Sequence, residues 1–242
     1  VKAKEFTPSK VTYDDPVTNK RGGKSVTLRL NGQPIVLSVP LMLTWGINEW
    51  VDEQTGSVKY DMALQFDPQK SGSQNKFLDA MKEFQEKIAD DCVKNAKKWF
   101  GKSKLSRDAV DVLMYPILKY PKDKVTGEFD KSKSPTLRIK LPTWEGVWKS
   151  EIYDEDGKML FPSETDAGLT PVDYLQKGTN VALVIQCGGL WFANGKFGVT
   201  WKLLQAVVQK PRASLQGTCF IKLNSADKEK LKSSGTTKEE PT

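Results

Sequence analysis

Apolar residues recur along this chain at two different periods. Over residues 26–39, Val26, Leu28 and Leu30 alternate with Thr27 and Arg29, an Asn31-Gly32 pair interrupts, and Ile35, Leu37 and Val39 resume. A period of two broken by Asn-Gly predicts a β-hairpin. A second pair of extended segments flanks "DEQTGS" within "LTWGINEWVDEQTGSVKYDMALQF". Over residues 74–100 the period changes: Phe77, Met81, Phe84, Ile88, Cys92, Ala96 and Trp99 step by three and four. That spacing predicts an amphipathic helix of about seven turns, stopped by Gly101. A short second helix is expected after an N-cap at Ser106, ending at Tyr115-Pro116.

From residue 115 the extended pattern returns. "YPILKYPKDKVTGEFDKSKSPTLRIKLP" reads as two extended segments joined by a charged loop. In the second, Leu137, Ile139 and Leu141 share one face, so Thr136, Arg138 and Lys140 share the other. The expected sheet is apolar on one side and cationic on the other. "TWEGVWKSEIYDEDGKMLFP" reads as strand, Asp-Gly turn and strand, and "TPVDYL" as a helical turn. "GTNVALVIQCGGLWFANGKFGVTWKLLQAVVQKP" reads as a long hairpin, and "SLQGTCFIKL" holds one more candidate strand. In the long hairpin Phe197, Val199, Trp201 and Leu203 point one way and are expected in the core. Gly188, Gly189 and Gly198 strip side chains where another backbone or a flat ligand comes close. The sum is about eight or nine mostly antiparallel strands with one long helix, a mainly β or α+β fold built on a small barrel.

Composition narrows the chemistry. The 242 residues carry 37 Lys and Arg against 30 Asp and Glu, a formal charge of +7 compatible with a polyanionic partner. Lysine outnumbers arginine, which favours point contacts to phosphate over bidentate reading of base edges. No histidine is present, so hydrolases of the Ser-His-Asp and Cys-His kinds are excluded. Cys92, Cys187 and Cys219 are widely spaced, which argues against a disulfide framework or a zinc site and for a reducing intracellular compartment. No apolar run reaches membrane-span length, and the N-terminal residues hold no signal-type apolar segment, so neither secretion nor a membrane is expected.

Three groups of residues invite a binding role. Lys119, Lys122, Lys124, Lys131, Lys133, Arg138 and Lys140, with Tyr115 and Tyr120 among them, have the mixture of cations and rings that a single-stranded nucleic-acid groove needs. The same residues also suit a solvated loop and outer sheet face. Trp191 and Phe192, at the base of the Asn194-Gly195 turn beside Lys196, suit packing more often than a stacking platform, while Trp144 suits stacking and Trp148 suits the core equally well. Asp90-Asp91 is expected on the polar side of the long helix and Asp154/Asp156 in a hairpin turn, so no metal site is assigned. Neither a P-loop, a dinucleotide-binding glycine fingerprint nor a nucleophile elbow occurs, and no catalytic set or cofactor is expected.

The segment order, with "KDKVTGEFD", "SPTLRIKLP" and "GGLWFANGKFGVTWKLLQAVV", resembles the single-stranded DNA-binding proteins of nucleocytoplasmic large DNA viruses. These are similar in turn to the replication single-stranded DNA-binding protein of T-odd bacteriophages. The resemblance spans roughly residues 25–210 and implies an OB-fold, an antiparallel barrel, with an inserted long helix. It implies that Lys119, Lys122, Lys124, Arg138, Lys140, Lys196 and Lys202 line the path of the strand while Tyr120, Trp144 and Trp191 stack on bases. The implied function is single-stranded DNA binding without strong sequence preference, in viral DNA replication, recombination or repair at a site in the host nucleus or cytoplasm. RNA is not distinguished from DNA as ligand, and the phage type implies a homodimer and replication-protein partners. The acidic tail of the phage type is reduced here to Glu239-Glu240 among lysines. The domain reading is a flexible basic arm at 1–24, an OB-fold domain at 25–223 with a helical insertion at 74–114, and a polar, disordered tail at 224–242. The alternative is a structural virion or scaffold β protein with a Lys-rich assembly surface.

Overall fold

The computed structural model describes residues 1–20, 22–53, 56–67, 69, 71–164, 166–209, 221 and 223–233. The chain divides into two units, 1–209 and 210–242.

Five strands of the first unit close into a barrel: β1 (Val36–Val51), β2 (Val58–Gln65), β3 (Thr136–Leu141), β4 (Asn180–Ala193) and β5 (Lys196–Val208). β1 pairs antiparallel with β2, and β2 with β3. β3 meets β5 in parallel through Ile139↔Trp201 and Lys140↔Lys202, β5 turns from β4, and β4 returns antiparallel to β1. The circuit 1-2-3-5-4-1 is the Greek-key order of an OB-fold. The one parallel seam joins strands far apart in sequence, so period-two alternation gives no sign of it. The expected first hairpin is smaller than its pattern suggests: Leu28–Leu30 pairs with the two residues Gln33–Pro34 on one side and with Val11–Tyr13 on the other, and β1 leaves to build the barrel.

Alternation fills the interior as expected. Leu137, Ile139, Phe197 and Leu203 are fully buried and Leu141 and Trp201 nearly so, with Leu37, Met62 and Leu64 from the facing strands. The insertion between β2 and β3 carries helix α1 (Gly72–Lys94), whose N-cap Ser71 accepts from the Ser73 N–H at 3.2 Å. Phe77, Met81, Phe84, Ile88 and Cys92 line its buried face, each large side chain contributing about 1.5–3 kcal/mol of burial. The α-helix is shorter than its apolar period: Ala96–Phe100 form a wide turn, and Gly101 ends it in the left-handed conformation, φ +68°. Helix α2 (Arg107–Leu113) starts from Ser106, whose hydroxyl accepts from the Ala109 N–H, and α3 (Pro171–Tyr174) is capped by Thr170.

Residues 1–20 are not a free arm. Phe6 is buried and packs edge-on against Phe84 (5.3 Å) and Trp201 (6.5 Å), and the Tyr13 hydroxyl donates to Asp91 at 2.7 Å. A buried Phe6 and a half-buried Tyr13 outweigh the polar composition of the segment. Asp91 accordingly is not on the solvent side of α1; it is buried and receives Lys87 and Lys94 as well as Tyr13. Burial works to raise its carboxyl, and the three hydrogen bonds more than offset that, leaving it below the usual aspartate range. Asp154 Oδ1 closes the Asp-Gly hairpin turn by accepting from Asp156 and Lys158 N–H.

In the second unit Ser225–Ser233 form helix α4, with no buried residue. Apart from Ile221 and Leu223, the candidate strand in "SLQGTCFIKL" lies outside the described residues, as do Cys219 and Glu239-Glu240.

Candidate nucleic-acid interface

Strand register lays out the outer face of β2 and β3 in rows. Asn48 on β1 stands opposite Asp61 on β2, which stands opposite Lys140 on β3, which stands opposite Lys202 on β5. The next row sets Ala63 against Arg138, and the next Gln65 against Thr136, with Lys119 beside Thr136 from the short strand Leu118–Lys119. Arg138 and Lys140 are exposed while their neighbours Leu137 and Ile139 are sealed in the barrel. The sequence-derived division into an apolar and a cationic face is therefore real.

Four cations gather on this face: Lys59, Arg138, Lys140 and Lys202. Loss of hydration, followed by the like charges of Lys59, Arg138 and Lys202, holds the Lys140 ammonium below the usual lysine range. A lysine held down by burial and by the like charges around it gains from an incoming anion. Two acids meet them: Asp52 accepts from Lys59, and Asp61 sits among the other three. Asp61 is 4% exposed and accepts from the Arg138 guanidinium and from the Trp50 indole N–H.

Two indoles of β1 border the face, and both are clamped by the same device. Trp50 Nε1–H donates to Asp61 at 3.0 Å and Trp45 Nε1–H to Gln65 Oε1 at 3.0 Å. Lys59 lies 5.1 Å from the Trp50 ring centre and Lys177 5.7 Å from that of Trp45. A bulge between Thr44 and Ile47 turns Trp45 outward. It needs Gly46: φ is +80°, and a Cβ there would lie 2.9 Å from the Lys177 backbone nitrogen. Trp45, Tyr120 and Arg138 line a groove of about 400 Å³, and Trp50, Lys59, Lys140 and Lys202 line a second of about 150 Å³ beside it.

No family model matches the chain, and no curated protein matches it. The chain is similar to solved structures of two bacteriophage proteins. One is the single-stranded DNA-binding protein from bacteriophage Enc34 in complex with ssDNA, 15% identical, TM-score 0.45, over 82% of this chain and 96% of that one. The other is gp2.5, a single-stranded DNA-binding protein encoded by bacteriophage T7, 11% identical, TM-score 0.43, over 78% and 98%. The barrel assignment rests on the strand pairings above.

The structure brings together some of the expected site residues and scatters others. Arg138, Lys140, Lys202, Lys119 and Tyr120 share the β2–β3 face and its grooves. Lys122 and Lys124 stand on the loop beyond, where Lys122 lies 5.5 Å from the Phe129 ring centre. Trp144 is 67% exposed in a small hairpin following β3, whereas Trp148 packs on Tyr60 at 4.4 Å. At the β4–β5 turn Lys196 Nζ donates to the Val112 carbonyl at the end of α2 (2.7 Å), and Trp191 leans on Tyr115 at 5.4 Å. The space left by Gly198 is taken by the Trp191 ring itself, and that left by Gly189 by the Val26 carbonyl. The three-glycine pattern thus serves packing within the chain.

Sequence reasoning missed Trp45, Trp50 and Lys59. "LTWGINEWVDEQTGSVKY" carries them in plain view, but the Gly46 bulge shifts the alternation, so neither indole follows from the parity of its neighbours.

Proposed function

We propose that this protein binds single-stranded nucleic acid, DNA in the first place, along the outer β2–β3 face of its OB barrel, without catalysis. One observation carries the reading: Lys59, Arg138, Lys140 and Lys202 converge on a face bordered by two indoles clamped at their N–H edges. Cations neutralise successive phosphates, and rings fixed at one edge offer a π-face to bases of any kind. In OB-folds generally this face, with the β1–β2 and β4–β5 loops, holds oligonucleotides. Lys119, Tyr120, Lys122 and Lys124 extend the path on one side and Trp144 on another. Trp191 and Lys196, committed to contacts at the β4–β5 turn, contribute at its end.

The bound strand is unwound DNA, and the resemblance in sequence supports a role in viral DNA replication, recombination or repair. RNA of the same length competes through the same contacts.

The test is tryptophan fluorescence during titration with oligo(dT) at two salt concentrations. Quenching that saturates and weakens with salt, with duplex of equal length binding less tightly, is expected. Equal affinity for duplex and single strand with a flat salt response would overturn the proposal and favour an assembly surface.

A further inference from the structure

The floor of the larger groove has one gap. Outward along β2 stand Lys59, Asp61, Ala63 and Gln65, and only Ala63 ends at Cβ. Trp45 rises on one side of it and Tyr120 on the other, with Arg138 opposite in register. The polar groups around the gap are unequally engaged. Gln65 commits its whole amide: Nε2 donates to the carbonyls of Phe66, Ser134 and Pro135, and Oε1 accepts from Trp45. Thr136 donates to the Lys119 carbonyl, and Asp61 is held by Trp50 and Arg138. Asn48 lines the same groove, exposed, and among the described residues its side-chain amide has no hydrogen-bond partner.

We infer that the gap above Ala63 is a nucleobase subsite that favours adenine, so that one position of the bound strand is selected by kind while the rest is held without preference. The base seats over Ala63 between Trp45 and Tyr120, and Asn48 reads its edge, donating from Nδ2 and accepting at Oδ1. Adenine presents an amino donor beside a ring-nitrogen acceptor on both of its long edges, the pairing that a side-chain amide satisfies in bidentate fashion. The subsite is made of a small residue where the sheet otherwise carries long ones and an amide left over beside the engaged Gln65 amide and Thr136 hydroxyl. This inference rests on the single-strand reading above.

The experiment is fluorescence anisotropy with labelled oligo(dT) no longer than the footprint, carrying thymine, adenine or an abasic spacer at one central position. The wild-type protein is expected to bind the adenine strand about fivefold or more tighter than the abasic one. Ala63→Leu, which fills the gap, brings that ratio to about one. Asn48→Ser removes the preference for adenine over thymine. Thermal melts check that both variants fold, and if Ala63→Leu does not, Asn48→Ser decides alone. An unchanged ratio in a folded Ala63→Leu, or an unchanged adenine preference in Asn48→Ser, overturns the subsite and leaves strand binding standing. Failure of all three strands to bind overturns the reading beneath it.

Discussion

The Trp50 indole N–H donates to the Asp61 carboxylate at 3.0 Å, and the same oxygen of Asp61 takes the Arg138 guanidinium. A single buried acid thus fixes one ring and one cation of the candidate face. Removing Arg138 leaves that carboxylate without its charged partner, whereas Lys140 and Lys202 stand free of any ion pair among the described residues. Arg138→Ala is expected to cost about 1–2 kcal/mol in urea unfolding, the exposure of the guanidinium limiting the loss. Lys140→Ala and Lys202→Ala should stay within about 0.5 kcal/mol of wild type. Equal stability of all three variants would show that Asp61 does not need Arg138.

Phe6 offers a test of how firmly the N-terminal residues belong to the domain. Its ring fills the space between Phe84 of α1 and Trp201 of β5. Phe6→Ala is expected to lower unfolding free energy by about 3 kcal/mol and to expose α1 to limited proteolysis. A loss below about 0.5 kcal/mol would mean that the segment is as dispensable as its composition suggests.

That contrast marks the boundary of what the amino-acid pattern reveals. The helix face Phe77–Met81–Phe84–Ile88, the caps at Ser106 and Gly101 and the split of Thr136–Leu141 into two faces are local periodicities, and each is legible. The burial of Phe6 and Asp91 depends on partners more than 70 residues away, and no local period encodes them. For the site, Arg138, Lys140 and Lys202 follow from alternation. Trp45 and Trp50 do not, because the bulge at Gly46 breaks the alternation that would have placed them.

Acid should loosen the N-terminal attachment first. The Asp91 carboxyl lies below the usual aspartate range in the folded chain, so the folded state binds fewer protons there than the unfolded one. Its stabilisation is complete above the unfolded value of about 3.9 and is lost as pH falls through the lower folded value. Asp91→Asn is expected to flatten the fall of melting temperature below about pH 4. An identical acid profile in wild type and variant would remove Asp91 from the account.

Thiol chemistry gives an independent check of the core. Burial pushes both the Cys92 and Cys187 thiols up to about 12, so at neutral pH almost no thiolate forms. In a Cys219→Ser background the native protein should react slowly with a thiol-specific chromogenic reagent, and both thiols should react at once in denaturant. Prompt labelling of the folded variant would contradict the packing around α1 and β4.

The most direct test of the central claim, that the β2–β3 face holds a single strand through its phosphates, is the slope of log binding constant against log salt for oligo(dT). Each phosphate contact to a single strand contributes about 0.7 to that slope. The folded double variant Lys140→Ala/Lys202→Ala is predicted to bind more weakly with a slope shallower by about 1.4. A wild-type slope and affinity in that variant would place the strand somewhere other than this face.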